Sequence, residues 1–266
     1  MNILFTINKK FLPMTVALIR SIEDYNSYQN YYIFSNDVTE EDLDKYKKYF
    51  HPESTFQILK VDENKFKDAP VSKTYPLEIY YRLFAAHILP DTIDKVLYLD
   101  ADTIVKGNLS SFYNIDLGDK LYAGASNVKE FLRVFNVIKN SAHKDAEYLN
   151  TGVLLMNMKK LREEQNLNDI YEFIRKHRFL MVLPDQDVLS GLYGHRVIKV
   201  SNLIYNISEL AITKHNFDFK NAKNKIDIDW VEKNTIIIHY IGKNKPWRPN
   251  YKGILKPYYD KYAVEE

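Results

Sequence analysis

The chain has 266 residues, of which 45% are hydrophobic and 27% charged, with a formal net charge of +2 and no cysteine. That size supplies one large domain or two small ones with enough apolar material for a core. The charge balance excludes a strong field for nucleic acid. The missing cysteines exclude a disulfide framework, a zinc–thiolate site, an iron–sulfur cluster and a thiol nucleophile.

Asn2 to Ile7 reads as a buried first strand ended by Lys9 and Lys10. Those lysines break the apolar run and no small-residue cleavage site follows, so a signal peptide is not expected. Pro13 opens a helix in which Met14, Ala17, Leu18 and Ile22 recur at helical spacing. Tyr31 to Phe34 is a second strand. Thr39-Glu40-Glu41-Asp42 is a capping-box pattern leading into a helix that ends near Phe50. Thr55 to Val61 is a third strand, and the alternation of strands and helices predicts an α/β fold with a mainly parallel sheet.

Glu78 to Leu89 reads as a helix stopped by Pro90. Lys95 to Leu99 is a short apolar strand running into Asp100-Ala101-Asp102, and Thr103 to Val105 continues extended. Leu121 to Ala125 and Gly152 to Met156 are further strands. The polar stretch 127–148 between them carries no clear periodicity. Asn168 to Arg178 and Asp185 to Leu192 read as helices, and Thr235 to His239 as a late strand. From Trp247 onward, Pro249, Pro257 and four tyrosines among lysines form an irregular extension. The expected division is a main domain over 1–246 and an aromatic, basic extension over 247–266, packed on the domain or facing a membrane. No segment reaches the ~20 apolar residues of a membrane span. The expectation is a soluble, cytoplasmic protein, in peripheral contact at most with the inner face of a membrane through the extension.

A buried strand ending in two carboxylates delivers them to its carboxyl end, where open α/β sheets bind ligands. Ionised carboxylates there need a counter-charge, and two hard oxygen donors suit Mn²⁺ or Mg²⁺. Asp-x-Asp also occurs at Asp185-Gln186-Asp187 and Asp227-Ile228-Asp229, so the spacing alone is weak. His239 ends a β-branched run ahead of Gly242 and Lys245. It can complete a carboxylate metal site while Lys245 reaches a phosphate; a half-buried structural histidine is the competing reading. Asn150 and Thr151 offer groups for sugar hydroxyls, or simply cap the turn at Gly152. Asp185 is equally an ordinary helix cap.

Taken in order, Met1 to Phe5, Tyr81-Arg82-Leu83, Lys95 to Asp102, Tyr148 to Lys160, Asp185 to Leu192 and His239 to Trp247 resemble glycosyltransferase family 8. This family of retaining UDP-sugar transferases includes bacterial lipooligosaccharide galactosyltransferases and the glycogenins. The resemblance implies a GT-A fold, a Rossmann-like mixed sheet flanked by helices. It implies a UDP-sugar donor carrying galactose or glucose, and a glycan, glycolipid or glycoprotein acceptor. It implies Mn²⁺, with Mg²⁺ as the alternative, on Asp100, Asp102 and His239. Ala101, Gly242 and Lys245 then meet the diphosphate, and Thr6, Asn8 and Phe11 fall where the uridine sits. Arg82, Asn150, Thr151, Asp185 and Gln186 line the donor sugar, with Gln186, Asp185 and Lys245 nearest the chemistry. Ile7, Lys9, Lys10 and the run Ser126-Asn127-Val128 depart from the family's pattern, the last where an acidic sugar contact is usual.

Three other classes are compatible with parts of the pattern. A nucleotidyltransferase also pairs aspartates on such a sheet, but no glycine precedes Gly107 to build a triphosphate loop. A glycoside hydrolase needs two carboxylates without metal. A non-catalytic nucleotide-sugar-binding module would keep the fold without turnover.

Overall fold

The computed structural model describes residues 1–66, 69, 71, 77–126 and 142–264. Asn127 and Val128, and most of the unassigned stretch 127–148, lie outside the described residues.

Nine strands are described. They are β1 (Asn2–Thr6), β2 (Asn30–Phe34), β3 (Thr55–Leu59), β4 (Lys95–Leu99), β5 (Thr103–Val105), β6 (Tyr122–Ala125), β7 (Val153–Asn157), β8 (Val197–Val200) and β9 (Ile237–His239). Seven form one sheet in the order β3-β2-β1-β4-β7-β6-β8. Pairings β1–β2, β2–β3, β1–β4 and β6–β8 are parallel, whereas β7 runs antiparallel to both β4 and β6. The sheet is therefore mixed, with its parallel half built from the early strand–helix alternation. Helices cover both faces, so Ile3, Leu4 and Phe5 of β1 and Val96 to Leu99 of β4 are all buried. This is why those strands read as unbroken apolar runs rather than alternating ones.

β5 leaves the main sheet and pairs antiparallel with β9, placing Thr103 opposite His239. The main-chain N–H of Tyr240 donates to the Asp102 carbonyl at 2.9 Å, closing this small ribbon beside the end of β4. The topology thus joins residues near position 100 to residues near position 240.

Several elements depart from the expected bounds. The capping box at Thr39 is present, its hydroxyl and the Asp42 carboxylate each bonding the other residue's N–H. Its helix, however, spans only Glu40–Asp44, and a 3₁₀ turn over Lys47–Tyr49 replaces the expected run to Phe50. The segment expected to be helical from Glu78 is a 3₁₀ helix over Leu77–Phe84, followed by a short α-helix Ala85–Ile88. There Arg82 Nε donates to the Ile79 carbonyl at 3.0 Å.

The C-terminal segment is not irregular throughout. Lys256–Asp260 is helical, and Tyr251, Leu255, Tyr259 and Tyr262 are buried against Ile104, Ile238 and Tyr240. Tyr240 meets Tyr251 and Tyr259 edge to face, and its hydroxyl donates to the Leu255 carbonyl at 2.8 Å. Among the described residues, no helix is long and apolar enough to cross a membrane.

Candidate active site

β4 ends at Leu99, and the turn Asp100-Ala101-Asp102 follows at once. The turn is closed by Thr103 N–H on the Asp100 carbonyl at 3.1 Å, and Asp100 N–H is tied to the Gly152 carbonyl at 2.8 Å. The β5–β9 ribbon then delivers His239. One ligand atom from each of Asp100, Asp102 and His239 lies within 4.8 Å of the others. His239 Nε2 is 3.2 Å from Asp102 Oδ1 and 3.9 Å from Asp100 Oδ2.

The histidine tautomer follows from a chain of bonds with one unambiguous end. The main-chain N–H of Gly152 donates to Asn150 Oδ1 at 3.1 Å. Asn206 Nδ2 donates to the same oxygen at 2.9 Å. That turns Asn206 Oδ1 toward His239 Nδ1, 2.9 Å away, so Nδ1 carries the proton and donates. The Nε2 lone pair is left facing two carboxylates, and a divalent cation among the three satisfies all of them. Two carboxylates with one imidazole suit Mn²⁺, and Mg²⁺ less well. The donor set therefore fits a divalent cation, the class of metal that the resemblance implied.

Gly152 permits the close approach. A Cβ at that position would clash with His239 Cε1 and sit 2.5 Å from Asp100 Oδ2. Its role here is space for the site, not only a turn.

Arg82 is the second hub. It is buried, and its guanidinium bonds Asp100 Oδ1 at 3.0 Å, Asp185 Oδ2 at 3.3 Å and the Thr151 carbonyl at 2.9 Å. It also lies over the Tyr98 ring, 4.3 Å from its centroid. Tyr98 OH donates to Asp100 Oδ1 at 2.5 Å and is 3.0 Å from Thr6 Oγ1. Burial opposes the charge on Arg82, but Asp100 and Asp185 outweigh it and raise its pKa further. Burial raises the Asp185 carboxyl pKa, opposed by Arg82 and by the Thr151 hydroxyl, which donates to Asp185 Oδ2 at 2.6 Å. Burial also disfavours the Asp102 carboxylate, whereas the Lys245 ammonium paired with it favours the charged form.

Lys245 Nζ pairs with Asp102 Oδ2 and donates to the Tyr240 carbonyl at 2.8 Å. Gly242 has a φ of 96°, the left-handed region that favours glycine, so the loop carrying Lys245 turns back toward Asp102 there. The site thus brings together Asp100, Asp102, His239, Lys245, Arg82, Asn150, Thr151 and Asp185, with Thr6 joined through Tyr98. Gln186 follows Asp185 and is half-buried. Asn8 Nδ2 donates to Glu78 at 2.8 Å while its Oδ1 is buried without a partner, and Phe11 meets Trp247 edge to face.

The other Asp-x-Asp pairs part company. Asp187 turns away from Asp185, accepting from Tyr148 OH at 3.0 Å and from Val182 and Leu183 N–H. Asp227 caps the helix Ile228–Asn234 through Trp230 N–H. Sequence reasoning missed Tyr98, Asn206 and Glu78. Tyr98 carried a signal, since it lies two residues before Asp100 on the same strand face. Asn206 carried none.

Residues 2–250 match the family described as Glycosyl transferase family 8. A lipopolysaccharide 1,2-glucosyltransferase of Escherichia coli is 27% identical over 205 residues, covering 73% of this chain and 57% of that protein. A lipopolysaccharide 1,2-glucosyltransferase of Escherichia coli strain K12 is 23% identical over 253 residues, covering 93% and 72%. The crystal structure of the galactosyltransferase LgtC with donor and acceptor sugar analogs superposes with a TM-score of 0.83. That likeness is at 21% identity and covers 99% of this chain and 95% of the other, showing the shared GT-A fold.

Proposed function

The chain belongs to glycosyl transferase family 8, and from that premise we propose that it transfers a hexose from a UDP-sugar with retention. The hexose is galactose or glucose, and the acceptor is a hydroxyl of a glycan, glycolipid or glycoprotein. The observation that carries this reading is the His239 Nε2 lone pair aimed at Asp100 and Asp102 by Asn206. A divalent ion on these three residues, Mn²⁺ in this reading, supplies a Lewis acid for the charge building on the departing diphosphate.

Lys245 adds a fixed positive charge beside Asp102 for the same purpose. Arg82 holds Asp100 and Asp185 in place rather than reaching out as a free cation, because its guanidinium is already spent on both carboxylates. Thr6, Asn8 and Phe11 are assigned to the uridine in this reading, Asn8 offering an amide with donor and acceptor groups for the base. Asp185 orients sugar or acceptor hydroxyls.

An amide is a poor nucleophile, so Gln186 does not form a glycosyl intermediate in this reading. The acceptor oxygen attacks the anomeric carbon from the face that the phosphate oxygen leaves. The bond to that oxygen breaks, and the acceptor proton passes to it.

The test is UDP-hexose binding and hydrolysis with and without Mn²⁺, on wild type and Asp102→Ala. Metal-dependent UDP release that the variant lacks is expected, and comparing UDP-galactose with UDP-glucose names the sugar. No binding of either nucleotide sugar with or without metal would sink the reading.

A further inference from the structure

The helix Leu167–His177 turns Ile170, Phe173, Ile174 and His177 inward. Arg175 and Lys176 are exposed in its last turn, and exposed Arg178 follows. Cations at a helix C-terminus offset the negative end of its dipole, which accounts for the first two. It does not account for what comes next. Phe179, Leu180 and Val182 are 86%, 55% and 66% exposed, an apolar cluster where a connection between helices is normally polar.

No aspartate or glutamate occurs between positions 173 and 184, so three cations border this cluster with no neighbouring acid in the run. The connection over residues 178–183, a lip at the end of this helix, is also fixed. Leu180 and Met181 N–H bond the His177 carbonyl at 2.8 and 3.1 Å. Val182 and Leu183 N–H bond Asp187 Oδ2 at 2.8 and 3.2 Å. Asp187 is buried in the helix Pro184–Tyr193, which also carries Asp185. The Arg178 guanidinium covers the Phe179 ring at 4.5 Å, keeping charge beside the aromatic.

We propose that residues 175–182 dock on an anionic lipid bilayer surface. Phe179, Leu180 and Val182 enter the boundary beneath the headgroups, and Arg175, Lys176 and Arg178 meet the phosphates. Neither signal is strong alone; apolar insertion and cationic attraction together make a reversible peripheral contact. A protein partner would need acidic groups set to match, whereas a bilayer offers anionic charge above an apolar layer, the same order as in the lip. In the C-terminal tail Tyr251, Tyr259 and Tyr262 are buried, and Ile254 is the one large hydrophobic exposed there among the described residues. A second exposed aromatic pair, Phe217 and Phe219, is separated in sequence by the acidic Asp218. Docking at the lip would bring a membrane-borne acceptor to Asp185, and that consequence alone rests on the proposed function.

The experiment is co-sedimentation of the full chain with phosphatidylcholine vesicles, with and without phosphatidylglycerol, at low and high salt. Binding only to the anionic vesicles, weakened by salt, is expected. The double variants Phe179→Ser with Leu180→Ser, and Arg175→Glu with Lys176→Glu, should each lose about tenfold in affinity. Their melting temperature and UDP-hexose hydrolysis should not change, and Phe217→Ser with Phe219→Ser should bind as wild type. Failure of wild type to bind anionic vesicles, or equal binding by both lip variants, overturns the proposal. So does a wild-type dimer in light scattering that Phe179→Ser dissociates, which would make the lip a contact between copies. Loss of UDP-hexose hydrolysis in wild type would count against the transferase reading and leave the vesicle result intact.

Discussion

His239 donates from Nδ1 to Asn206 Oδ1 across 2.9 Å, and both side chains are buried. Through this one bond a residue outside the metal cluster fixes which imidazole nitrogen the cluster can use. Replacing Asn206 with leucine removes the acceptor, frees the tautomer and leaves Asn150 Oδ1 with the Gly152 N–H as its one remaining donor of the two. Loss of such an orienting partner typically costs about 10- to 100-fold in metal affinity. The expected result is a Mn²⁺ Kd raised by that factor, read by calorimetry, with Asn206→Asp falling closer to wild type. Unchanged affinity in Asn206→Leu would mean the ring is held by packing alone.

The same cluster depends on Gly152. Alanine there would press its Cβ against His239 and Asp100, in contact with side chains fixed by other bonds. Gly152→Ala is expected to abolish metal-dependent UDP release and lower stability by about 1–3 kcal/mol, the usual cost of overpacking. Gly118 serves as the control. A Cβ there meets nothing, but its φ of 51° makes alanine mildly strained, so Gly118→Ala should cost stability without affecting metal binding.

Arg82 is buried with two carboxylates and a carbonyl on one guanidinium. Removing it strands Asp100 and Asp185 without their shared counter-ion. Breaking a buried pair in this way costs about 3–5 kcal/mol, so Arg82→Ala should shift the urea midpoint strongly. Arg82→Lys keeps the charge but loses the planar fork that spans both carboxylates. It should recover part of the stability while UDP-hexose hydrolysis stays low, separating charge from geometry.

How much of this was legible in the sequence depended on whether the information was local. The run Val96 to Leu99 ahead of Asp100 announced a buried strand delivering carboxylates, because continuous burial writes a continuous apolar run. His239 was legible for the same reason, as the last residue of β9. The pairing of Thr103 with His239 explains why these two stretches meet, and no local pattern encodes it. Asn206 was invisible because an asparagine after a short helix, Asn202–Tyr205, reads as an ordinary cap; only the folded chain turns it onto His239. The helix from Glu78 was legible but its winding was not, since apolar residues at helical spacing do not distinguish α from 3₁₀.

The C-terminal segment is stapled to the first helix, Leu12–Asn26, by Asp24. Its Oδ2 accepts from Lys261 Nζ at 2.7 Å and from Tyr262 OH at 2.6 Å. These hydrogen bonds, Lys261 first, hold the Asp24 carboxyl below its ordinary value, and the same contact raises the pKa of Lys261. A carboxyl depressed on folding contributes stability that is present above its unfolded value of about 3.9. That contribution is lost as pH falls through the folded value. Lys261 contributes in the opposite sense, its share fully present below about 10.4 and lost as pH rises through its folded value. Both side chains are about half exposed, so solvent screening limits the pair to no more than about 1 kcal/mol. Asp24→Asn should therefore lower the melting temperature slightly at neutral pH, with a smaller deficit in high salt. Below about pH 4 the variant and wild type should begin to converge, because the unfolded carboxyl takes up its proton first, and the convergence completes as pH falls through the lower folded value. A constant difference from neutral pH down to acid would show that the staple acts through shape rather than charge.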